Sequence, residues 1–349
     1  MFINGLIEEI KKLDKGVLYG KVKISILLFA DDIVLLAENR EDLEILMKVT
    51  SEYSKKWRFD FNYDKSAVVI FENTRNNAPV LLGACTNECL CGHHWRLGDK
   101  LIIETDVYKY LGIELDKKLT FKVFKNRITD KARKSRTKIW NMGMKNGILS
   151  VKASVQLWES LVRSNLEYGA EVWGAGKWEE AEEIATEMGR RILRCPSKTT
   201  NAAVRGELGW WRQSTRRDYI KLRYYVNILL MEEKRLVKEV YNHSRREFVT
   251  KNRNNWAKTI YQIINKYTLQ ELWENEQYIK KDLYEDKSVQ EIKAYWMKKI
   301  YKKVQEKEEF EWNIEVESKT KLRNYKSIKT NLKLEPYLLM QTNKKGECF

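Results

Sequence analysis

The sequence predicts an α+β protein, in which a small mixed sheet layer comes first and an all-helical portion more than twice as long follows. Between residues 24 and 38, apolar runs on either side of two adjacent aspartates are apolar on both faces, a pattern typical of buried β-strands. From Phe121 onward, nearly every segment has apolar residues at helical spacing. Strands are therefore expected early in the chain and helices afterwards.

The composition is that of a globular protein. The chain has 349 residues, 43% hydrophobic and 11% aromatic, which is enough for a substantial core and for about two domains. Wholesale disorder is excluded, and the scarcity of Pro disfavours linker-dominated architectures. No apolar run approaches the ~18 residues that a membrane span needs. Five cysteines do not make a disulfide scaffold and favour a reducing interior.

Charge points to a polyanionic partner. Lys and Arg number 65 against 49 Asp and Glu, a net charge of +16. A field of this sign favours nucleic acid or an acidic membrane surface. Plain solubility is the alternative.

The individual elements follow from local patterns. The apolar runs form a hairpin with Asp31 and Asp32 at its tip, and a helix follows from about Arg40 to Trp57 with Asn39 as its N-cap. The tail after Glu317 has few apolar residues and is expected to be loosely held. The other expected elements are a turn at 62–66, strands at 67–71, 101–103 and 108–115, helices at 121–142, 151–172, 178–194 and 215–240, and charged helical stretches to about 310.

The acidic doublet is an unusual choice for a hairpin tip. Tight hairpin turns prefer Asn-Gly or Asp-Gly, and like charges held together repel. A divalent cation resolves both problems, since Mg²⁺ takes carboxylate oxygens and keeps sites open for substrate phosphates. The alternative is that Asp31 and Asp32 simply point into water. The apolar flanks favour a metal site.

Several motifs resemble one enzyme family. Phe29-Ala30-Asp31-Asp32 is similar to the FADD box of reverse transcriptases from non-LTR (LINE-like) retrotransposons, which holds catalytic metals in the polymerase palm. The resemblance covers about residues 1–231. Further matches, in order, are the Asn and Lys-Ser of 61–66, the YKYLG primer-grip box of 108–113, the thumb-like LVRSNLEYGAEVWG of 161–174 and RGELG of 205–209.

The resemblance implies a domain organisation and partners. It implies a remnant palm over residues 1–118, a helical thumb over 119–231 and a charged helical extension over 232–349. The implied cofactor is Mg²⁺ or Mn²⁺, and the implied partners are an RNA template and an RNA–DNA hybrid. It also implies an intracellular and nuclear site of action.

The resemblance also assigns roles to site residues. Asp31 would be the principal metal ligand with Asp32 beside it, and Lys65 would approach the triphosphate. Plain solvation is the alternative for Lys65. The primer-grip hairpin would be shaped by Tyr110, Leu111 and Gly112, where ordinary strand packing is at least as good an interpretation of Leu111.

The match lacks the family's upstream parts. A complete polymerase of this kind has fingers and a palm strand with a third catalytic Asp ahead of FADD, whereas 28 residues precede Phe29 here. Phosphoryl transfer depends on positioning and electrostatics. The chain is therefore expected to be inactive alone, and to need the upstream part in trans.

A strongly basic helix follows the sheet layer. Between Lys117 and Lys152 there are 12 Lys or Arg and a single acid, Asp130. This asymmetry favours sequence-independent, salt-sensitive contact with a phosphate backbone over a merely solvated face. Trp210-Trp211 could stack on bases, although packing is favoured. The candidate nucleic-acid-binding residues are Lys131, Arg133, Lys134, Arg136 and Lys138.

A cysteine–histidine cluster offers ligands for zinc. Cys85, Cys89, Cys91 and His93 are enough N and S ligands for a tetrahedral ion. Their spacing is not that of a standard finger, so chance clustering of reduced thiols is the favoured interpretation.

A second functional class remains open. The chain could be a non-catalytic helical protein that binds nucleic acid or another protein and keeps the palm hairpin only as structure. Divalent-ion binding that depends on Asp31 and Asp32 would distinguish the two.

Overall fold

The computed structural model describes residues 3–72, 94–274 and 287–340. The chain divides into two compact units, Met1–Phe124 and Lys125–Phe349. Strands occur in the first and helices dominate the second, so the α+β class is confirmed. Within the described ranges, no helix is long and apolar enough to cross a membrane.

The first unit combines two helices with short strands. Its strands form antiparallel hairpins β1–β2, β3–β4 and β8–β9, and a three-stranded sheet of order β5–β7–β6 in which β5 runs parallel to β7. The elements are α1 Ile3–Lys12, β1 Val17–Tyr19, β2 Val22–Ile24, β3 Ile26–Phe29, β4 Asp32–Leu35, α2 Arg40–Trp57, β5 Ala67–Val68, β6 Trp95–Leu97, β7 Lys100–Glu104, β8 Val107–Tyr110 and β9 Ile113–Asp116.

Helix α2 forms where its sequence predicts it. The Asn39 side chain accepts a hydrogen bond from the backbone N–H of Asp42 at 2.8 Å, which satisfies one of the unpaired donors of the first turn. The helix ends at Arg58, whose backbone is left-handed. Its buried residues Leu46 and Tyr53 pack with α1.

The predicted acidic hairpin exists, but its predicted burial is wrong. Ile26 and Ile33 pack against the core formed by α1 and α2, and the strands are otherwise only half-buried. Phe29 is 60% exposed. The hairpin residues that pack against this core, Ile26, Ile33 and Leu35, all lie on one face, which leaves the strands half-buried.

Other strand boundaries differ from those expected. The run at 67–71 pairs only over Ala67–Val68, and residues 108–115 form a hairpin of two strands. The sequence analysis also missed most of the β1–β2 hairpin.

The second unit is helical. Two stretches, Trp140–Met144 and Glu159–Arg163, are π-helical turns. The helices are α3 Lys122–Ile139, which begins just before the unit boundary, α4 Val151–Trp158, α5 Ser164–Glu167, α6 Ala170–Trp173, α7 Glu179–Leu193, α8 Asn201–Leu208, α9 Gln213–Leu229, α10 Leu236–Lys251, α11 Trp256–Lys266, α12 Gln270–Glu274, α13 Val289–Glu317 and α14 Arg323–Ile328.

Three helix predictions need correction. The first helix stops being regular at the π turn that contains Gly143, whose φ is 126°. The second is broken near Gly169, which has a φ of 67° and directly precedes α6. The predicted helix over 215–240 is two helices, since the chain turns between Leu229 and Leu236.

The core of the helical unit joins distant parts of the chain. Helices α9, α10, α11 and α13 contribute buried residues to one cluster. For the described part of the tail, up to residue 340, the expectation of loose packing is wrong, because Leu322 and Leu332 are buried against α8 and α13. The division into domains at 118 and 231 stays a prediction.

A buried ionic cluster also stabilises the packing of α13 in the helical unit. The carboxylate of Glu308 pairs with Arg205 of α8 and with Arg212 just before α9. Burial alone would lower the pKa of Arg212, but hydrogen bonding to Glu308 and the charges of Glu308 and Glu311 raise it. The sequence analysis did not identify this cluster.

Candidate functional site

The acidic doublet lies in a two-residue turn. Phe29 pairs with Asp32 across the β3–β4 hairpin, which leaves Ala30 and Asp31 at its tip. Ala30 has a φ of 54°, in the left-handed region that costs a residue with a Cβ free energy. Both aspartates are exposed, and neither side chain forms a hydrogen bond or ion pair with a described residue. Their oxygens are thus accessible to a ligand.

The Lys-Ser motif sits in a capped turn. Residues Tyr63–Lys65 form one turn of 3₁₀ helix, and the Asn62 side chain accepts a hydrogen bond from the Lys65 N–H at 3.2 Å. Ser66 Oγ donates to the Asn62 carbonyl at 2.9 Å. These bonds fix the backbone while the Lys65 side chain stays exposed.

The YKYLG box forms the β8–β9 hairpin. Tyr110 pairs with Ile113, so Leu111 and Gly112 make the turn. Their φ values of 46° and 81° are both left-handed, as a tight hairpin turn requires. Gly112 accepts this conformation without strain, whereas Leu111 does so at a cost.

Tyr108 connects the three motifs. Its hydroxyl donates a hydrogen bond to the Lys65 carbonyl at 2.8 Å. Burial, followed by the negative charge of Asp32, raises the pKa of both Tyr108 and Tyr110. The acidic tip, the Lys-Ser turn and the β8–β9 hairpin therefore share one neighbourhood. Tyr108 belongs to a motif that the sequence singles out, but no site role was predicted for it.

The two carboxylates suit part of a magnesium site. Mg²⁺ is commonly held by one or two carboxylates together with waters and substrate phosphates. Across residues 3–72, 94–274 and 287–340, no group of three or more His, Cys, Asp or Glu could hold a metal ion. Asp31 and Asp32 thus fit the ion as partial ligands.

The basic helix presents most of its predicted cations to solvent. Phe124, Ile128, Ala132 and Ile139 are buried along one side of α3. Exposed on the rest of the surface are Lys131, Arg133, Lys134 and Lys138.

Arg136 differs from the other cations of α3. Its side chain is only 14% exposed and is ion-paired with Glu187. Burial, together with the charges of Arg191 and Arg133, lowers its pKa.

Two other sequence candidates have different outcomes. Cys85, Cys89, Cys91 and His93 lie outside the described residues. Trp210 is buried and stacks on Trp158 with ring centroids 5.3 Å apart, so packing is confirmed as its role.

Comparison with protein families gives a match within the first unit. A family model described as "Reverse transcriptase (RNA-dependent DNA polymerase)" matches residues 1–115. No solved structure matches the chain significantly.

The curated relatives are polymerases of mobile elements. The chain is similar to the RNA-directed DNA polymerase from mobile element jockey of Drosophila melanogaster, 29% identical over 48% of this chain and 17% of the relative. The jockey polymerase of Drosophila funebris is 30% identical over 46% of this chain and 16% of the relative. A probable RNA-directed DNA polymerase from transposon X-element of Drosophila melanogaster is 22% identical over 55% of this chain and 20% of the relative.

The matched region covers a fifth or less of each relative's length. The family model covers the β3–β4 hairpin and all but the last residue of the β8–β9 hairpin. Residues 1–115 are therefore similar to reverse transcriptases of the type encoded by non-LTR retrotransposons.

Proposed function

We propose that the chain supplies part of the palm and the thumb of an RNA-directed DNA polymerase of a non-LTR retrotransposon. The observation that carries this proposal is the junction at Tyr108, which contacts Lys65 and lies close to the charge of Asp32. Three motifs separated by up to 80 residues in the sequence meet there, as a shared active site requires.

Each motif then has a role in nucleotidyl transfer. Asp31 and Asp32 would hold Mg²⁺ or Mn²⁺, which stabilises the charge on the attacking and leaving oxygens when bound. Lys65, exposed on its fixed backbone, would approach the triphosphate. The turn at Leu111 and Gly112 would support the primer end, because its Gly permits close backbone approach.

The carboxylate set is incomplete for catalysis by this chain alone. The described residues offer the pair at the hairpin tip but no cluster of three metal-ligating side chains. Since phosphoryl transfer depends on positioning and electrostatics, we expect no catalysis until an upstream palm segment is supplied in trans.

Primer extension tests this expectation. The purified chain, an annealed primer, an RNA template and Mg²⁺ should give no extension, and adding the fingers and upstream palm of a related polymerase should restore it. Robust template-dependent synthesis by the chain alone would contradict the expectation.

Helix α3 provides the proposed contact with the RNA template and the RNA–DNA hybrid. Lys131, Lys134 and Lys138 follow one another at three- and four-residue spacing, so they share a helix face. All three are exposed. Such a row suits a phosphate backbone and carries no sequence preference.

The salt dependence of RNA binding measures this contact. Replacing Lys131, Lys134 and Lys138 by Gln should reduce the slope of log K against log salt by about 2 to 3. A control variant removes the same charge from lysines already paired with carboxylates, Lys55, Lys56 and Lys326, and should change the slope much less. Equal effects of the two variants would refute the assignment to α3.

A non-catalytic role in nucleic-acid binding is the second candidate. It is favoured by the division of the chain, in which the α3 lysines and the acidic hairpin belong to different units. RNA binding that is insensitive to Mg²⁺ and to Asp31→Asn with Asp32→Asn would support this candidate.

A further inference from the structure

Three aromatic side chains form a cluster on the helical unit. Trp211 lies just before α9, Tyr219 is on α9 and Tyr301 is on α13. The ring centroids are 5.2 Å apart for Trp211 and Tyr301, 5.8 Å for Trp211 and Tyr219, and 5.9 Å for Tyr219 and Tyr301. We call these three residues the aromatic cluster.

The aromatic cluster is open to solvent on one side. Tyr301 is 46% exposed, and Trp211 and Tyr219 are half-buried against the core of the unit. The rings therefore contact one another, edge-to-face in the two pairs that include Tyr219, while the exposed part of Tyr301 forms part of the surface. A nucleobase can stack on an exposed aromatic ring that half-buried rings hold in place.

Positive charge surrounds the aromatic cluster. The guanidinium of Arg223 lies 5.6 Å from the Tyr219 ring centroid, and Lys298 precedes Tyr301 by three residues on the same helix face. Both cations are exposed, and neither forms an ion pair with a described residue.

The helix positions one turn away from Tyr301 and Tyr219 carry no carboxylate. Along α13 these positions are Met297, Lys298, Val304 and Gln305, and Glu308, seven residues after Tyr301, is buried in ion pairs with Arg205 and Arg212. Along α9 they are Thr215, Arg216, Leu222 and Arg223, and Arg216 is paired with Glu167. The surface around the rings is therefore cationic.

We propose that the aromatic cluster is a base-stacking site for an unpaired polynucleotide strand. Stacking on the exposed Tyr301 ring would hold a base, and Arg223 and Lys298 would neutralise the flanking phosphates. The exposed cations Arg223 and Lys298 favour a polyanion as the partner. A protein partner would need to offer an apolar surface or an acidic surface that complements these cations. The site rests on the proposed function only for the class of partner, since none of its residues belongs to α3 or to the acidic hairpin.

Fluorescence anisotropy with the full chain and labelled oligouridylate tests the site. Tyr301→Ala should weaken binding about ten-fold, because stacking on one base is lost, while the salt slope stays unchanged. Tyr301→Phe keeps the ring and should bind within about two-fold of the wild type. Lys298→Gln should lower the salt slope by about one. Oligothymidylate binding equally well would mean that the site does not distinguish RNA from DNA, and fully paired RNA should show no loss in Tyr301→Ala.

Tyr295→Ala is the matched control. Tyr295 is a tyrosine of the same helix with similar exposure, 43%, but its neighbour Lys299 is already paired with Glu271. This variant should bind the oligonucleotide as the wild type does. The proposal is overturned if Tyr301→Ala binds normally, or if Tyr295→Ala loses as much. The α3 variant is measured in the same assay. If Tyr301→Ala binds normally while the α3 variant shows the expected loss in salt slope, the proposed function still stands.

Discussion

Glu308 fastens α13 to the rest of the helical unit, and its replacement by Gln should destabilise that unit strongly. The side chain is 1% exposed and accepts hydrogen bonds from Arg205 at 2.8 Å, from Arg212 at 3.0 Å and from Thr215 Oγ1 at 2.6 Å. Glu308→Gln keeps the shape of the side chain but removes the charge that two arginines face.

The magnitude follows from burial. Breaking a buried ion pair costs about 3 to 5 kcal/mol, because the partner charge is left without compensation in a low-dielectric site. Arg205 and Arg212 each keep a second partner, Glu315 and Glu311. The loss should therefore lie at the lower end, at about 3 kcal/mol.

Urea unfolding followed by tryptophan fluorescence measures this loss. Of the twelve tryptophans, all but Trp57 and Trp95 lie in the helical unit, so the signal reports mainly on that unit. Glu306→Gln is the control, since Glu306 is an exposed residue of the same helix whose ion pair with Lys302 spans 3.9 Å. Exposed pairs of this kind contribute about 0.5 kcal/mol or less. A loss below about 1 kcal/mol in Glu308→Gln, or equal losses in both variants, would refute the reasoning.

Further predictions concern pH and turn geometry. Burial would raise the pKa of Asp116, but hydrogen bonds from Thr120, Lys118 and Phe121 lower it below 3.8. The stability of the first unit should therefore fall as the pH drops below about 4. Asp116→Asn should remove that dependence. Burial lowers the pKa of Lys221 from 10.5 to about 8, so between these pH values the unfolded state binds more protons than the folded state. The free energy of unfolding of the helical unit should therefore rise with pH in this range, by about 3 kcal/mol in total. Lys221→Met should abolish this rise in urea titrations at pH 8 and pH 10, and an unchanged slope would contradict the assignment. Gly112→Ala should cost about 1 kcal/mol in thermal unfolding of the first unit because φ is 81° there, and no loss would mean that the turn relaxes.

Local signals in the sequence were sufficient for the elements that form locally. The Asn39 cap and the apolar spacing of α2 predict its limits, because both act within one or two helical turns. The hairpin around Asp31 was likewise predicted from apolar runs, whereas residues 108–115 were predicted from the pattern as one strand and their hairpin only from the motif resemblance.

Features set by distant contacts could not be predicted in this way. The residues between Leu229 and Leu236 include no Pro or Gly, so their propensity favours a continuous helix. The chain turns there because α10 packs back on α9, where the Tyr241 and Tyr225 hydroxyls lie 3.4 Å apart. Glu308 looks like one acid among many in a charged helix, and its partners are about 100 residues away.

The same limit applied to the candidate site. The motif resemblance identified Asp32, Lys65 and the YKYLG box separately, whereas the meeting of Asp32 and Lys65 at Tyr108 depends on tertiary structure. The half-buried state of the hairpin was missed because an apolar run does not show how many of its faces have a neighbour.

Binding of Mn²⁺ to the tip of the acidic hairpin tests the central claim most directly. Electron paramagnetic resonance of the full chain titrated with Mn²⁺ should show bound ion that is lost in Asp31→Asn with Asp32→Asn. Asp99→Asn, which alters an exposed aspartate in the turn between β6 and β7, should leave the binding unchanged. Equal Mn²⁺ binding by the wild type and the double variant would contradict the account, because the hairpin would then carry its two acids without a metal-binding role.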